Sequence, residues 1–207
     1  MRAPGVQVSP GAEAGCLDGM IAALALSVLA ALAPTASPAG AAPRTFDVGP
    51  ASTLRYRLVH KFHAVEGTSR AVEGKARVLP DGTVQVMVRA PLDSFHSGNS
   101  NRDAHMLEVT GAARQPYVIF KGVGHLDPPD RYPVDVRVQL RGELTLKSPR
   151  PVEAAAAVHF DGPDRAHVEA TFPVSLDAHQ VERPELLFVK VDDRVDVDAR
   201  LELEVER

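Results

Sequence analysis

From Val195 to Glu206 the chain alternates without a slip. Val195, Val197, Ala199, Leu201, Leu203 and Val205 are apolar, and every residue between them is Asp, Arg or Glu. A period of two is the mark of a β-strand with one face buried. The same parity runs through Val134, Val136, Val138, Leu140, Leu144 and Leu146, with Gly142 in phase. It returns in Val168, Ala170, Phe172, Val174 and Leu176, and in Val84, Val86, Val88 and Ala90. No helix-period stretch of useful length follows Ala42.

Turn chemistry divides these runs. Pro80-Asp81-Gly82 predicts a hairpin between a strand ending near Leu79 and one starting at Thr83, and Asp161-Gly162-Pro163-Asp164 predicts another between Phe160 and Arg165. Further strands are expected over Ser52–His60, Thr68–Leu79, Tyr117–Leu126 and Val152–Phe160. The fold class is therefore all-β. The strands suit a single antiparallel barrel of about eight, small enough to hold one ligand. A membrane barrel would show the same alternation, but it carries aromatic girdles at both interfaces. This chain has no Trp, three Tyr and seven Phe, so the charged face is read as wet and the apolar face as interior. That parity places Phe62, Val86, Val88, Phe120, Val138, Leu140 and Phe172 in the lumen. A one-residue bulge would invert any of them.

One stretch breaks the pattern. Ser94–Val109, SFHSGNSNRDAHMLEV, is far longer and more polar than a hairpin turn requires. Asn99, Ser100 and Asn101 are good helix N-caps, Asp103 would sit in a first turn, and Gly111 can end a helix. A short helix of one to two turns near residues 102–110 is expected, closed before a strand starting at about Pro116.

The beginning of the chain is of another kind. Met20–Ala33 is fourteen residues without a charge, too short for the roughly 20 of a membrane span. It suits the apolar core of a secretory signal, and Ala39-Gly40-Ala41 fits small-x-small cleavage. Residues 1–41 are read as a signal peptide cut after Ala41, leaving residues 42–207 as one domain without a transmembrane span. Only Arg2 is basic ahead of the apolar core, against Glu13 and Asp18, so the assigned start itself is in question. The single cysteine, Cys16, precedes that core, whereas a lipid-anchored cysteine would follow it. The mature chain thus has neither disulfides nor a thiol nucleophile. The whole chain has a net charge of −4 and lacks a basic block interleaved with aromatics, which argues against nucleic acid as a partner.

Several constellations could carry chemistry. His60 and His63 form H-x-x-H, and with His96 and His105 they offer four imidazoles as candidate ligands of a transition metal. Residues three apart on a strand face opposite ways, so the first pair could share an ion only if the chain turned between them. Gly98-Asn99-Ser100-Asn101-Arg102 misses the second glycine of a nucleophile elbow, and Ser100 reads better as a cap. Asp192, Asp193, Asp196 and Asp198 lack the spacing of a calcium loop. No catalytic residue and no metal ligand is assigned.

The order of these pieces resembles the YceI-like family of secreted, lipocalin-like barrels. The residues that carry the likeness are Tyr56-Arg57-Leu58-Val59-His60 with Gly67 and Gly74, then Asn101-Arg102-Asp103-Ala104-His105-Met106, then Pro116-Tyr117-Val118-Ile119-Phe120, and Gly142-Glu143-Leu144-Thr145-Leu146. Lys147-Ser148-Pro149-Arg150-Pro151-Val152 departs from the usual Gly-Thr-Lys-Pro-Val, and Leu107–Gly111 lacks the usual aromatic pair. The resemblance implies a periplasmic or secreted binding protein, not an enzyme, that holds an isoprenoid lipid, a quinone or another amphiphile as carrier or scavenger. It further implies a rim formed by His60, Asn101, Arg102, His105 and Met106, the polar ones facing a headgroup. Other readings are that Arg102, Asp103 and His105 merely pin the helix, that the histidines hold a metal, or that the barrel is structural with a core filled by Phe62, Phe120, Phe172 and Phe188. Either a monomer or a homodimer fits.

Overall fold

The computed structural model describes residues 42–206 apart from 61, 62, 184, 187 and 188. In chain order the elements are β1 (Arg44–Val48), β2 (Thr53–His60), β3 (His63–Ser69), β4 (Glu73–Val78), β5 (Thr83–Pro91), a 3-10 turn (Leu92–Ser94), α1 (Ser100–Thr110), β6 (Tyr117–His125), β7 (Val134–Thr145), β8 (Pro149–Phe160), β9 (Arg165–Ser175), β10 (Glu185–Leu186), β11 (Val189–Lys190) and β12 (Arg194–Val205). The expected leader, residues 1–41, lies outside the described residues. No helix among the described residues is long and apolar enough to cross a membrane.

Antiparallel neighbours run β1-β4-β5-β6-β7-β8-β9-β12, and β12 pairs back onto β1, so the sheet closes. β2 continues β1 along the same edge of β12, and β3 continues β4, giving eight positions around the barrel. Closure gives each strand of this ring a hydrogen-bonded neighbour on both sides. The four strands with the clearest alternation, β5, β7, β9 and β12, turn their apolar face inward. The core consists of residues such as Val88, Val138, Leu140, Phe172 and Leu201.

Three features differ from the sequence expectation. The stretch expected as one strand over Thr68–Leu79 is two. Ser69, fully buried, accepts a bond from Ala71 N at 3.1 Å and shares one with Ser94 Oγ at 2.6 Å. These side-chain bonds interrupt the ladder, and residues 63–69 fold back on β2. Across from this break, four residues (Gly49–Ser52) face only Leu201 and Glu202 in the ladder with β12. Gly49 N donates to Glu202 O at 2.7 Å, and Glu202 N donates to Ser52 Oγ at 3.0 Å, so the bulge is tied to β12 at both of its ends. The third difference is α1, which has eleven residues and so about three turns rather than one or two. Asn99 is its N-cap, accepting from Arg102 N at 3.1 Å, and Gly111 at φ 70° ends it in the left-handed conformation.

Candidate ligand cavity

A row of small residues leaves the barrel hollow. Ala156, Ala170 and Ala199 are register partners across β8, β9 and β12, all facing inward. Three methyl groups side by side cannot reach the opposite wall. The result is a cavity of about 640 Å³, well inside the size range of small-molecule sites. Its walls are almost wholly apolar. Phe120 and Phe172 meet across the lumen with ring centroids 6.1 Å apart but do not close it. At the end where β5 begins and β6 ends, Phe46, Leu126 and Phe160 form a buried floor, with Tyr132 packed edge-on against Phe160 at 6.2 Å.

The other end is the polar one. There α1 lays one stripe over the lumen: Asn99, Arg102, His105, Met106, Val109 and Thr110 all line it. The spacing of three and four residues is that of one helix face. Val181, Glu182 and Val191, from the loop between β9 and β12, complete this rim. That loop is held by His179, a buried side chain whose Nδ1 lies 2.7 Å from Ser148 O, and by the Arg183 Nε bond to Asp177 at 2.8 Å.

The helix is tied down through Ser97. Arg102 donates from Nε to Ser97 Oγ at 2.8 Å and from Nη2 to Ser97 O at 2.7 Å. Asp103 accepts from Ser97 N at 3.1 Å and from Ser97 Oγ. The strap carrying Ser97 is itself bonded to β3, with reciprocal Thr68–His96 backbone bonds of 3.1 Å. The long polar stretch therefore covers part of the free edge of β3 and anchors a helix across the mouth. Beside it Tyr56 packs on Phe95 at 5.8 Å. Burial, and then the Asp103 carboxylate, push the Tyr56 phenol above its usual value, while Arg102 and Ser97 pull the other way.

The residues expected in the lumen that lie within the described set, Val86, Val88, Phe120, Val138, Leu140 and Phe172, all line the cavity. Phe62 and Phe188 lie outside the described residues. Of the expected rim, Arg102, His105 and Met106 line the mouth, while Asn101 does not. Asn101 stands one position short of Arg102 on the helix and turns to solvent, and Asn99 occupies the place expected for it. His60 and His63 are register partners across β2 and β3, but the side chain of His60 lies outside the described residues. His105 Nδ1 faces Glu108 of its own helix at 3.5 Å. Among the described residues no group of three or more His, Cys, Asp or Glu side chains is placed to hold a metal ion. The sequence reading missed Val181, Glu182, Val191 and the alanine row. The alanines were visible in the alternation, but their alignment across three strands depends on register.

Fold, lumen and helical rim come together with a family model for the YceI-like domain that matches residues 46–203. The chain belongs to the YceI-like family. Solved structures show the same barrel. A polyisoprenoid binding domain from Saccharophagus degradans, implicated in plant cell wall breakdown, has 14% identity and a TM-score of 0.61 over 78% of this chain and 98% of its own. Burkholderia cenocepacia BcnA has 19% identity and a TM-score of 0.60 over 75% and 99%. A Campylobacter jejuni YCEI protein has 13% identity and a TM-score of 0.52 over 72% and 89%. No curated protein matches the chain significantly. At such low identity the YceI-like barrel is shared while its lining is this chain's own.

Proposed function

We propose that this YceI-like chain is an exported carrier that binds one amphiphilic lipid of isoprenoid or quinone type and performs no chemistry on it. The observation that carries the reading is the cavity of about 640 Å³, lined mostly by apolar side chains and carrying Asn99, Arg102, His105 and Glu182 at the end that α1 crosses. Such a lumen takes an apolar chain, and such a rim orients one polar head. Burying a methylene contributes at most ~0.8 kcal/mol, so each five-carbon isoprene unit contributes up to ~4 kcal/mol before ordering costs. A few units give tight binding without any charged contact. The polyisoprenoid binding domain among its structural relatives supports the same ligand class.

The test is native mass spectrometry of protein purified without detergent, followed by solvent extraction. A stoichiometric apolar adduct is expected, identified in the extract. A spectrum still bare after incubation with quinones and polyprenyl lipids overturns the reading and leaves a barrel without cargo. Export to the periplasm or medium is the second part of the proposal. It rests on the uncharged Met20–Ala33 run and the Ala39-Gly40-Ala41 site. N-terminal sequencing of the mature protein is expected to begin at Ala42.

A further inference from the structure

The floor of the lumen is a plug braced from outside. Along β8 the residues that line the cavity shrink with distance from it: Phe160, then Val158, then Ala156 and Ala154. Phe160 meets the lumen on one side and Tyr132, edge-on at 6.2 Å, on the other. The Tyr132 hydroxyl accepts from Arg44 Nη1 at 3.5 Å, and the Arg44 guanidinium lies 5.3 Å over the ring of Phe46, the neighbouring floor residue. Asp164 stands 3.7 Å from the same guanidinium. One cation thus backs two floor rings, and a plug packed on both faces has little room to retreat.

The depth above the plug is finite. Leu144, near the α1 end of the lining, is the register partner of Arg150, ten residues before Phe160 on β8 (160 − 150). Ten steps of about 3.3 Å, tilted by about 40° as in small barrels, span about 25 Å along the axis. An isoprene unit adds four chain bonds of about 1.5 Å, or about 5 Å when extended. The shaft therefore takes about five units in one pass.

We infer that Phe160, braced by Tyr132, sets the length of the apolar tail this lumen accepts; the inference rests on the carrier reading. With the head held at the α1 rim, the tail descends past Ala154, Ala156 and Val158 and ends against the Phe160 ring. A shorter tail leaves apolar wall uncovered, so each added unit increases burial. A longer one has to lift its head from the rim or double back beside Phe120 and Phe172, so the gain stops. Phe160 selects by length and leaves the choice of head to the rim.

Competition between all-trans prenols of increasing length, from geraniol upward, read by native mass spectrometry of the lipid-free protein, tests this. Affinity should rise at least about threefold with each added unit and then level to within about twofold. Phe160→Ala removes a six-carbon ring, roughly the bulk of one isoprene unit, and packed surroundings close such a space only in part. The length limit should rise by about one unit. Val158→Phe places a ring one inward position above the floor and should lower the limit by about one unit. Circular dichroism establishes that each variant is folded; where Phe160→Ala is not, Val158→Phe decides alone. A limit that the folded variant leaves unmoved overturns the inference, as does affinity that rises without levelling, and both outcomes leave the carrier reading intact. Failure of every prenol to bind overturns the two together.

Discussion

Tyr56 lies flat on Gly67, its register partner across β2 and β3, so closely that a Cβ at Gly67 would stand 2.4 Å from the ring's Cε1. The absent side chain is what lets the ring lie down, and the ring in turn packs on Phe95 and the strap that holds α1. Gly67→Ala must therefore lift the ring off the hairpin. A loss of about 1–3 kcal/mol is expected, the usual cost of overpacking, read by denaturant unfolding. Tyr56→Ala in the same chain should make the added methyl nearly neutral, which identifies the ring as the obstacle.

Arg102 has two roles to separate. It clasps Ser97, and it borders the cavity. Both bonds are solvent-exposed, so Arg102→Ala should cost only about 1 kcal/mol of stability. Under the carrier reading it should lower the fraction of protein that keeps its lipid through purification. Ser97→Ala loosens the clasp but leaves the guanidinium, and should retain more cargo than Arg102→Ala. Equal retention in the two variants would reduce Arg102 to a fastener.

The alanine row sets the free volume. Ala170→Phe projects a ring into the lumen between Ala156 and Ala199. Cargo should be lost, while stability changes by no more than about 1–3 kcal/mol because the ring enters empty space. Native mass spectra would show a bare barrel with an unaltered fold. A variant that still carries stoichiometric lipid would place the ligand elsewhere.

Acid should unfold the barrel partly through Asp198. Its carboxyl is held below the usual 3.8, first by the bond from Thr171 Oγ1 at 2.7 Å and then by Arg55 at 2.8 Å. A depressed carboxylate contributes stability above its unfolded value, and that contribution fades as pH falls through the folded value. Wild-type stability should thus drop below about pH 3.8, and Asp198→Asn should lose less over that window. His159 acts in the opposite sense. Its imidazole is raised above 6.5 mainly by Asp135, so its contribution is complete below pH 6.5 and fades as pH rises through the folded value.

Much of this fold was legible because a closed barrel has one wet and one dry side, and strict alternation reports both. β12 needed nothing else. The breaks at Gly49–Ser52 and Arg70–Val72 were not legible, because their causes are contacts distant in sequence: Glu202 for the first and Ser94 for the second. The length of α1 was underestimated because its apolar face is only a stripe of Met106, Val109 and Thr110 beneath polar residues. The loop holding Val181 and Val191 shows no period at all. Its buried residues are placed by His179 and Arg183, each through a bond to a backbone carbonyl.

The hollow in this barrel comes from side chains rather than from strand count. A ring of eight strands has a nearly fixed girth, yet the space inside depends on whether Ala156, Ala170 and Ala199 are small. Single substitutions along that row can narrow or widen the berth without disturbing one ladder bond. The selectivity of such a protein is therefore free to drift while its frame stays constant, which gives relatives sharing under a fifth of their residues room for unlike cargoes in superimposable walls.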